Sequence, residues 1–377
     1  MVNRERLLAE FMELVQVDSE TKHEQEISKV LRKKFEDLGL EVTEDDSAER
    51  TGHGAGNMFA WLAASEGNEN VPGLLFTSHM DTVSPGKGIK PRLDDDGYIR
   101  SDGTTILGAD DKAGLAAMFE ALRCMKEQGT PHGSIQFVIT AGEESGLIGS
   151  RAMDGSLLRA KIGYALDSNG EIGAIAIAAP TNSRQYITIR GKAAHAGVNP
   201  EDGISAIQVA SKAVSRMRLG RIDKETTANI GRFEGGGEVN IVTDSIKIYA
   251  EARSQVQEKM ERQIESMREA VESACKENGA EFEFISNIIY PAYSYGDEDE
   301  VVQIAQSAIR SIGAAPRTFA SGGGSDANVF NGHGIPTVNL AVGYEDIHTT
   351  NERIKADDVV KVTELVLAIV QETVKRG

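Results

Sequence analysis

Four short apolar runs end on, or lead into, residues that can bind metal or move protons. This repetition limits the fold more than any other feature of the 377-residue chain. The runs are GLLFTSH, SIQFVITA, KIGYALD and TVNLAV, and NMFAWLA belongs with them. Nearly unbroken apolarity, rather than alternation, suits strands covered on both faces. Helical patterns lie between the runs. RERLLAEFMELV carries Leu7, Leu8, Phe11, Leu14 and Val15 on one face. SETKHEQEISKVLRKKFEDLG reads as a helix entered by a Thr21–Glu24 capping box, striped with Ile27, Val30, Leu31, Phe35 and Leu38, and closed by Gly39. KAGLAAMFEALRCMKEQG is a third helix. Alternating strands and helices imply a sheet with helices on both sides.

The pattern changes near Ser183. RQYITIRG alternates apolar and polar as a half-exposed strand does. A helix (GISAIQVASKAVSRM), two strands (TANIGRFEGG and VTDSIKIYAEARS), a charged helix at 257–278 and a strand (EFEFISNII) follow. That order, βαββαβ, is the ferredoxin-like arrangement. After about residue 292 the earlier character returns, with a helix at 299–312 and the strand TVNLAV. The expectation is therefore α/β: a catalytic domain with a mixed sheet covered by helices, residues 1–182 and 292–377. An inserted ferredoxin-like α+β lid occupies 183–291. EGGGE and SGGGS are glycine loops that match neither a P-loop nor the dinucleotide fingerprint.

Charge narrows the partners. With 58 acidic against 40 basic residues the net charge is −18, a surface that repels nucleic acid and anionic membrane, so neither is expected as a partner. No apolar run approaches the roughly 20 residues that span a bilayer. The first sixteen residues read as an amphipathic helix rather than a signal peptide. Cys124 and Cys275 fall in helical patterns and make no disulfide framework, so a reducing cytoplasm is expected.

The chemistry-bearing residues collect at strand ends. His79 and Asp81 follow GLLFTS, Glu143 and Glu144 follow IQFVITAG, Asp167 closes IGYAL, and His348 lies just beyond TVNLAVG. In open α/β sheets that edge is where ligands bind. Asp110, in LGADDKAG, stands before a helix instead, where an N-cap is the plain structural alternative. Two imidazoles and several carboxylates without thiolate suit Zn²⁺, Co²⁺ or Mn²⁺. Crowded carboxylates need cations, and two metals about 3.5–4 Å apart that share a carboxylate make a hydrolytic centre. One further carboxylate must stay free to take a proton. The adjacent glutamates can divide these tasks, but the residues alone do not assign them.

The motifs SHMDTV, DGTTILGADDKAG, AGEESGLIGS, ALDSNG, AAHAG and HTTNE, in this order, resemble the co-catalytic zinc hydrolases that include peptidase T, bacterial glutamate carboxypeptidase and the aminoacylases. DGTTILGADDKAG is most similar to peptidase T. The resemblance implies that His79 and Asp167 bind one metal and His348 the other, that Glu144 is a further ligand, and that Asp110 bridges the two, with a cis peptide bond to Asp111. It further implies that Asp81 orients His79, that Glu143 is the general base and that Glu352 gives local support. In the lid, His195 would stabilise the developing oxyanion, and Asn240 and Arg253 would touch substrate. Arg253 reads equally well as a strand-surface charge. His23, His53, His132 and His333 lie in no motif and are expected at the surface or in loops. The implied activity is hydrolysis of short peptides at two divalent metals, most simply as a tripeptide aminopeptidase. A carboxypeptidase or an N-acyl amino acid deacylase on the same scaffold is the alternative. A non-catalytic metal-dependent binder is the alternative of another class, against which the retained Asp81 and Glu143 argue. The chain departs from peptidase T at two places. Peptidase T has a basic residue just before the glycines of ASGGGSDAN, and an aspartate where this chain has Gly142. An exposed lid edge could pair two copies into a homodimer.

Overall fold

Residues 1–377 are described by a computed structural model and fall into two units. The first contains 1–178, 295–321 and 325–377, and the second contains 179–294 with 322–324. No helix is long and apolar enough to cross a membrane.

The first unit is built on a mixed sheet. Across it run the strands Glu41–Glu44, Met58–Leu62, Ile135–Thr140, Leu74–His79, Ile162–Ser168, Thr337–Ala341 and Ala174–Ala179. The four from Ile135–Thr140 to Thr337–Ala341 are mutually parallel, and Met58–Leu62 and Ala174–Ala179 on either side run against them. Leu74–His79 and Ile135–Thr140 are buried at every position, as their unbroken apolarity requires. The period of two sorts their side chains between two layers. Leu74, Phe76, Phe137 and Ile139 join a core that includes Phe11, Phe35 and Phe119 from the helices Arg4–Val15, Gln25–Asp37 and Ala109–Gln128. Leu75 and Val138 pack on the other side with Phe59 and with Phe330 of the helix Asp326–Gly332. Phe35 sits at the aromatic centre, 4.6 Å from Phe119 and 5.7 Å from Phe137 between ring centroids. Cutting such a ring back to alanine costs about 3–5 kcal/mol. Ala109–Gln128 is buried along nearly its whole length, and its many alanines let neighbouring helices approach closely.

One local expectation fails. The second helix begins at Gln25, and Glu24 at its N-cap makes no side-chain capping bond. Glu24 is buried and accepts from the backbone N–H of Lys22 and of Gly54, both at 2.8 Å. Thr21 Oγ1 instead lies 2.7 Å from Ser145 Oγ. The capping-box pattern was present, but tertiary partners took both side chains.

The second unit is an antiparallel sheet in the order Gly220–Arg221, Thr226–Gly235, Ser245–Ser254, Thr181–Arg190, Glu281–Tyr290. The helices Ala206–Arg216 and Gln257–Asn278 complete the βαββαβ order. Ile187, Ile189, Ile246, Ile248, Ala250 and Ala252 share a core with Val209, Met267 and Val271 of those helices. The alternate positions Tyr186 and Ile285 are exposed on the opposite face.

Candidate active site

Because four parallel strands end together, their following loops converge, and the sequence has loaded those loops with donors. His79 is the last residue of its strand and is buried. Its Nδ1 lies 2.9 Å from the Asp81 backbone oxygen, and its Nε2 lies 3.0 Å from Asp110 Oδ1 and 3.7 Å from Asp167 Oδ1. Asp81 therefore orients the imidazole chiefly through its main chain; its carboxylate is 3.5 Å away. That carboxylate accepts the backbone N–H of Glu143 at 3.0 Å and of Glu144 at 3.2 Å. One buried aspartate thus fixes the imidazole and both adjacent glutamates.

Asp110 is not an N-cap. The first turn of Ala109–Gln128 is non-helical at Asp110 and Asp111, and the peptide bond between them is cis. While Oδ1 of Asp110 faces His79, Oδ2 lies 3.3 Å from His348 Nε2. One carboxylate so placed between two imidazoles has bridging geometry. Glu352 holds the approach to it, accepting the N–H groups of Leu107 and Gly108 at 2.8 Å and of Asp110 at 3.0 Å. Its support is directed at Asp110, from more than 240 positions away in sequence.

Glu144 Oε1 lies 3.1 Å from His348 Nε2, yet the oxygen has no hydrogen-bond partner. The two groups form an ion pair without regular hydrogen-bond geometry. Ligand atoms of His79, Asp110 and Glu144 lie within 4.8 Å of one another, and so do those of His79, Asp111 and Asp167. Asp111 was missed by sequence reasoning, which took only the first residue of the Asp–Asp pair. Its Oδ2 is buried without a partner.

The electrostatics match a site built for cations. Burial, with Asp326, Glu144 and Asp110 nearby, drives the proton affinity of Glu143 well above the usual carboxylate range despite His79. Burial and Asp110 do the same to Asp167. Burial works against an imidazolium at His79, but the Asp110 and Asp81 carboxylates outweigh it. Asp110 and Glu144 push His348 up to about 10. The unpartnered oxygens of Glu144 and Asp111, in a thiol-free set of imidazoles and carboxylates, fit a pair of divalent ions.

Three neighbouring residues had no assigned role. Lys112 is fully buried and donates from Nζ to Ser19 Oγ at 2.7 Å and to the Met80 carbonyl at 2.9 Å, tying its helix to the His79–Asp81 turn. Asp326 is buried and accepts from the hydroxyls of Thr140 and Ser150, at the two ends of the Glu143–Glu144 loop. Both lie inside quoted motifs, DDKAG and SGGGSDAN, which was the available signal. His53, expected at the surface or in a loop, is only 7 % exposed and packs against Gly142.

A sequence profile of peptidase family M20/M25/M40 matches residues 75–372. This chain belongs to that family. It is similar to the Bacillus subtilis protein YqjE, 58% identical with all of both chains covered. The crystal structure of aminopeptidase PepT from Bacillus cereus superposes with a TM-score of 0.92 at 60% identity, covering 99% of each chain. A Staphylococcus aureus tripeptidase gives 0.94 at 48% identity over the full length of both. The M20 chain is a peptidase T-like metallopeptidase.

The lid candidates of this M20 chain separate into two places within the second unit. His195 is exposed, and its Nδ1 accepts the N–H groups of Gly197 and Val198, each at 3.1 Å. In the neutral imidazole the proton is thereby assigned to Nε2, which is left as a donor. Asn240 is beside it: its carbonyl accepts Ala196 N–H at 2.8 Å, and His195 pairs with Ile241. Arg253 lies opposite Asn182, at the other end of the sheet from the Arg190–Ser245 pair. Its Nε bonds Glu251 at 3.0 Å.

Proposed function

We propose that this M20 chain hydrolyses the amide bonds of short peptides at two divalent metal ions, with Glu143 as general base, and that its preferred substrates are tripeptides cleaved from the amino end. The observation that carries the reading is the single Asp110 carboxylate facing His79 through one oxygen and His348 through the other. His79, Asp167 and Asp110 would hold one ion and Glu144, His348 and Asp110 the other. When bound, the ions would supply Lewis acidity at the scissile carbonyl and lower the pKa of water.

The chain's own residues do the rest. Asp81 holds the Glu143 and Glu144 backbones, so one side chain can ligate while its neighbour stays free. Glu143 takes a proton from the attacking water and passes it to the leaving amine. Burial raises the proton affinity of Glu143, which favours its taking up that proton. His195 donates from Nε2 to the carbonyl oxygen as charge develops there. Asn240 and Arg253 contact the remainder of the peptide, and pairing of lid edges would let His195 serve a partner copy. Two buried, unpaired cysteines accord with a reducing cytoplasm.

The tripeptide reading is supported by the likeness to the Bacillus cereus aminopeptidase and the Staphylococcus aureus tripeptidase. The test is a panel of tripeptides, amino-blocked dipeptides and N-acyl amino acids, assayed with Zn²⁺, Co²⁺ or Mn²⁺ and again with chelator. Tripeptide turnover that is lost on N-acetylation and on chelation is expected. Faster hydrolysis of acyl amino acids or blocked dipeptides would move the enzyme to the deacylases or carboxypeptidases.

A further inference from the structure

His53 follows the short helix Ser47–Thr51, in a segment that belongs to no motif, yet its ring is buried against the loop that carries the two glutamates. Gly142 opens that loop at φ +65°, and a Cβ built on it would lie 2.6 Å from both Cδ2 and Nε2 of His53. The ring occupies the volume that any side chain at 142 would need. The same ring edge reaches the other end of the loop: His53 Nε2 is 3.3 Å from Ser145 Oγ, which is 2.7 Å from Thr21 Oγ1. Thr21 also helps hold the Asp81 carboxyl below its usual range. The imidazole therefore braces the tetrapeptide 142–145 at both ends, one by packing and one by a hydrogen bond.

We infer that His53 is a positioning residue for Glu143, and that His53 and Gly142 form a coupled pair in which the imidazole replaces a side chain at 142. The inference rests on Glu143 being the base. Glycine at a positive φ has wide conformational freedom, so this loop needs an external brace to hold the following carboxylate in register. A reacting group misplaced by about 1 Å can lose about 10²-fold in rate. The pair also accounts for the departure from peptidase T at Gly142: an aspartate there and this imidazole cannot share the space.

A four-protein cycle tests the pair: wild type, His53→Ala, Gly142→Asp and the double variant. All are metal-loaded and assayed on one tripeptide, with bound metal measured alongside. Aspartate is among the few residues that tolerate a positive φ, so Gly142→Asp isolates the clash. His53→Ala should lower kcat about tenfold, with KM and metal content near wild type. Gly142→Asp should lower kcat by about 10²-fold. Adding His53→Ala to Gly142→Asp should then raise kcat by about tenfold rather than lower it further, because the vacated volume accepts the new carboxylate. His53→Phe, which keeps bulk and loses the bond to Ser145, should fall between wild type and His53→Ala. The inference is overturned if His53→Ala retains wild-type kcat or if the two losses multiply in the double variant. Thermal midpoints of the same cycle give an activity-free reading: His53→Ala should lower the midpoint of wild type and raise that of Gly142→Asp. A wild type inert towards every peptide, or an undiminished Glu143→Gln, would instead sink the functional reading above.

Discussion

At the scale of single residues, the adjacent glutamates pose the sharpest question, because identical chemistry is asked to do two tasks. Glu143→Gln removes a base and no ligand. Metal content measured by mass spectrometry should stay at wild type while kcat falls by about 10² or more. Glu144→Gln should weaken one metal site instead, and reversed metal losses would reassign the pair. Glu352 makes the next prediction. Glu352→Gln places an amide where a carboxylate accepts three N–H groups, so one donor must face another. It should cost about 10–100-fold in metal affinity by competition titration, as loss of supporting hydrogen bonds around a ligand does. His79, Asp110, Glu144, Asp167 and His348 could be named as candidates because each lies at, or in the loop just after, a strand or helix end. Which glutamate does what was not legible from the residues and came only with the resemblance. Asp81's hold on both glutamate N–H groups could not be read at all, since a backbone hydrogen bond across 62 positions leaves no mark in sequence.

At the scale of elements, periodicity served well where burial decides and poorly where partners compete. The strands 74–79 and 135–140 are covered on both faces, and an unbroken apolar run can mean little else at that length. The Thr21–Glu24 capping box failed because Ser145 and Gly54 offered those side chains tertiary partners. His53 lies in a loop as expected, but not at the surface: a lone histidine in a polar segment carries no period, so its burial is set by what folds over it. The lid supplies the prediction at this scale. His195→Ala should keep both metals and the fold yet lose about 10²–10³ in kcat, because an oxyanion donor matters most in the transition state. Mixing His195→Ala with Glu143→Gln protein tests the route. Activity regained on subunit exchange would show His195 acting across a dimer, and none regained would place its action within one chain. Near-normal kcat in the single variant would return His195 to a structural role.

At the scale of the whole molecule, gathering these carboxylates sets a pH dependence that metal should erase. Glu352 is pushed by burial from 4.5 to about 7, so its contribution to folding is present below about 4.5 and lost as pH rises through about 7. His348, raised from 6.5 to about 10, contributes fully below 6.5 and loses this towards 10, which is the same sign. Lys112, lowered by burial from 10.5 to about 8, has the opposite sign, but only at higher pH. Asp110 is lowered by His348 and His79 despite burial, and so acts only at lower pH. Calorimetry of the chelated protein should therefore show a midpoint that falls between about pH 5 and pH 8, and metal-loaded protein should show a much flatter profile. A rising midpoint in the chelated protein would contradict the raised groups. The sequence by itself determined the layering of the sheet and the insertion of the lid, and it placed most of the candidate donors at one sheet edge, because burial and periodicity act locally along the chain. Only the tertiary structure decided which of those donors meet, which backbone each side chain holds, and that His53 must fill the space beside Gly142. Those outcomes depend on distances between segments far apart in sequence, and a hydrogen bond or a steric exclusion exists only once both segments are in place.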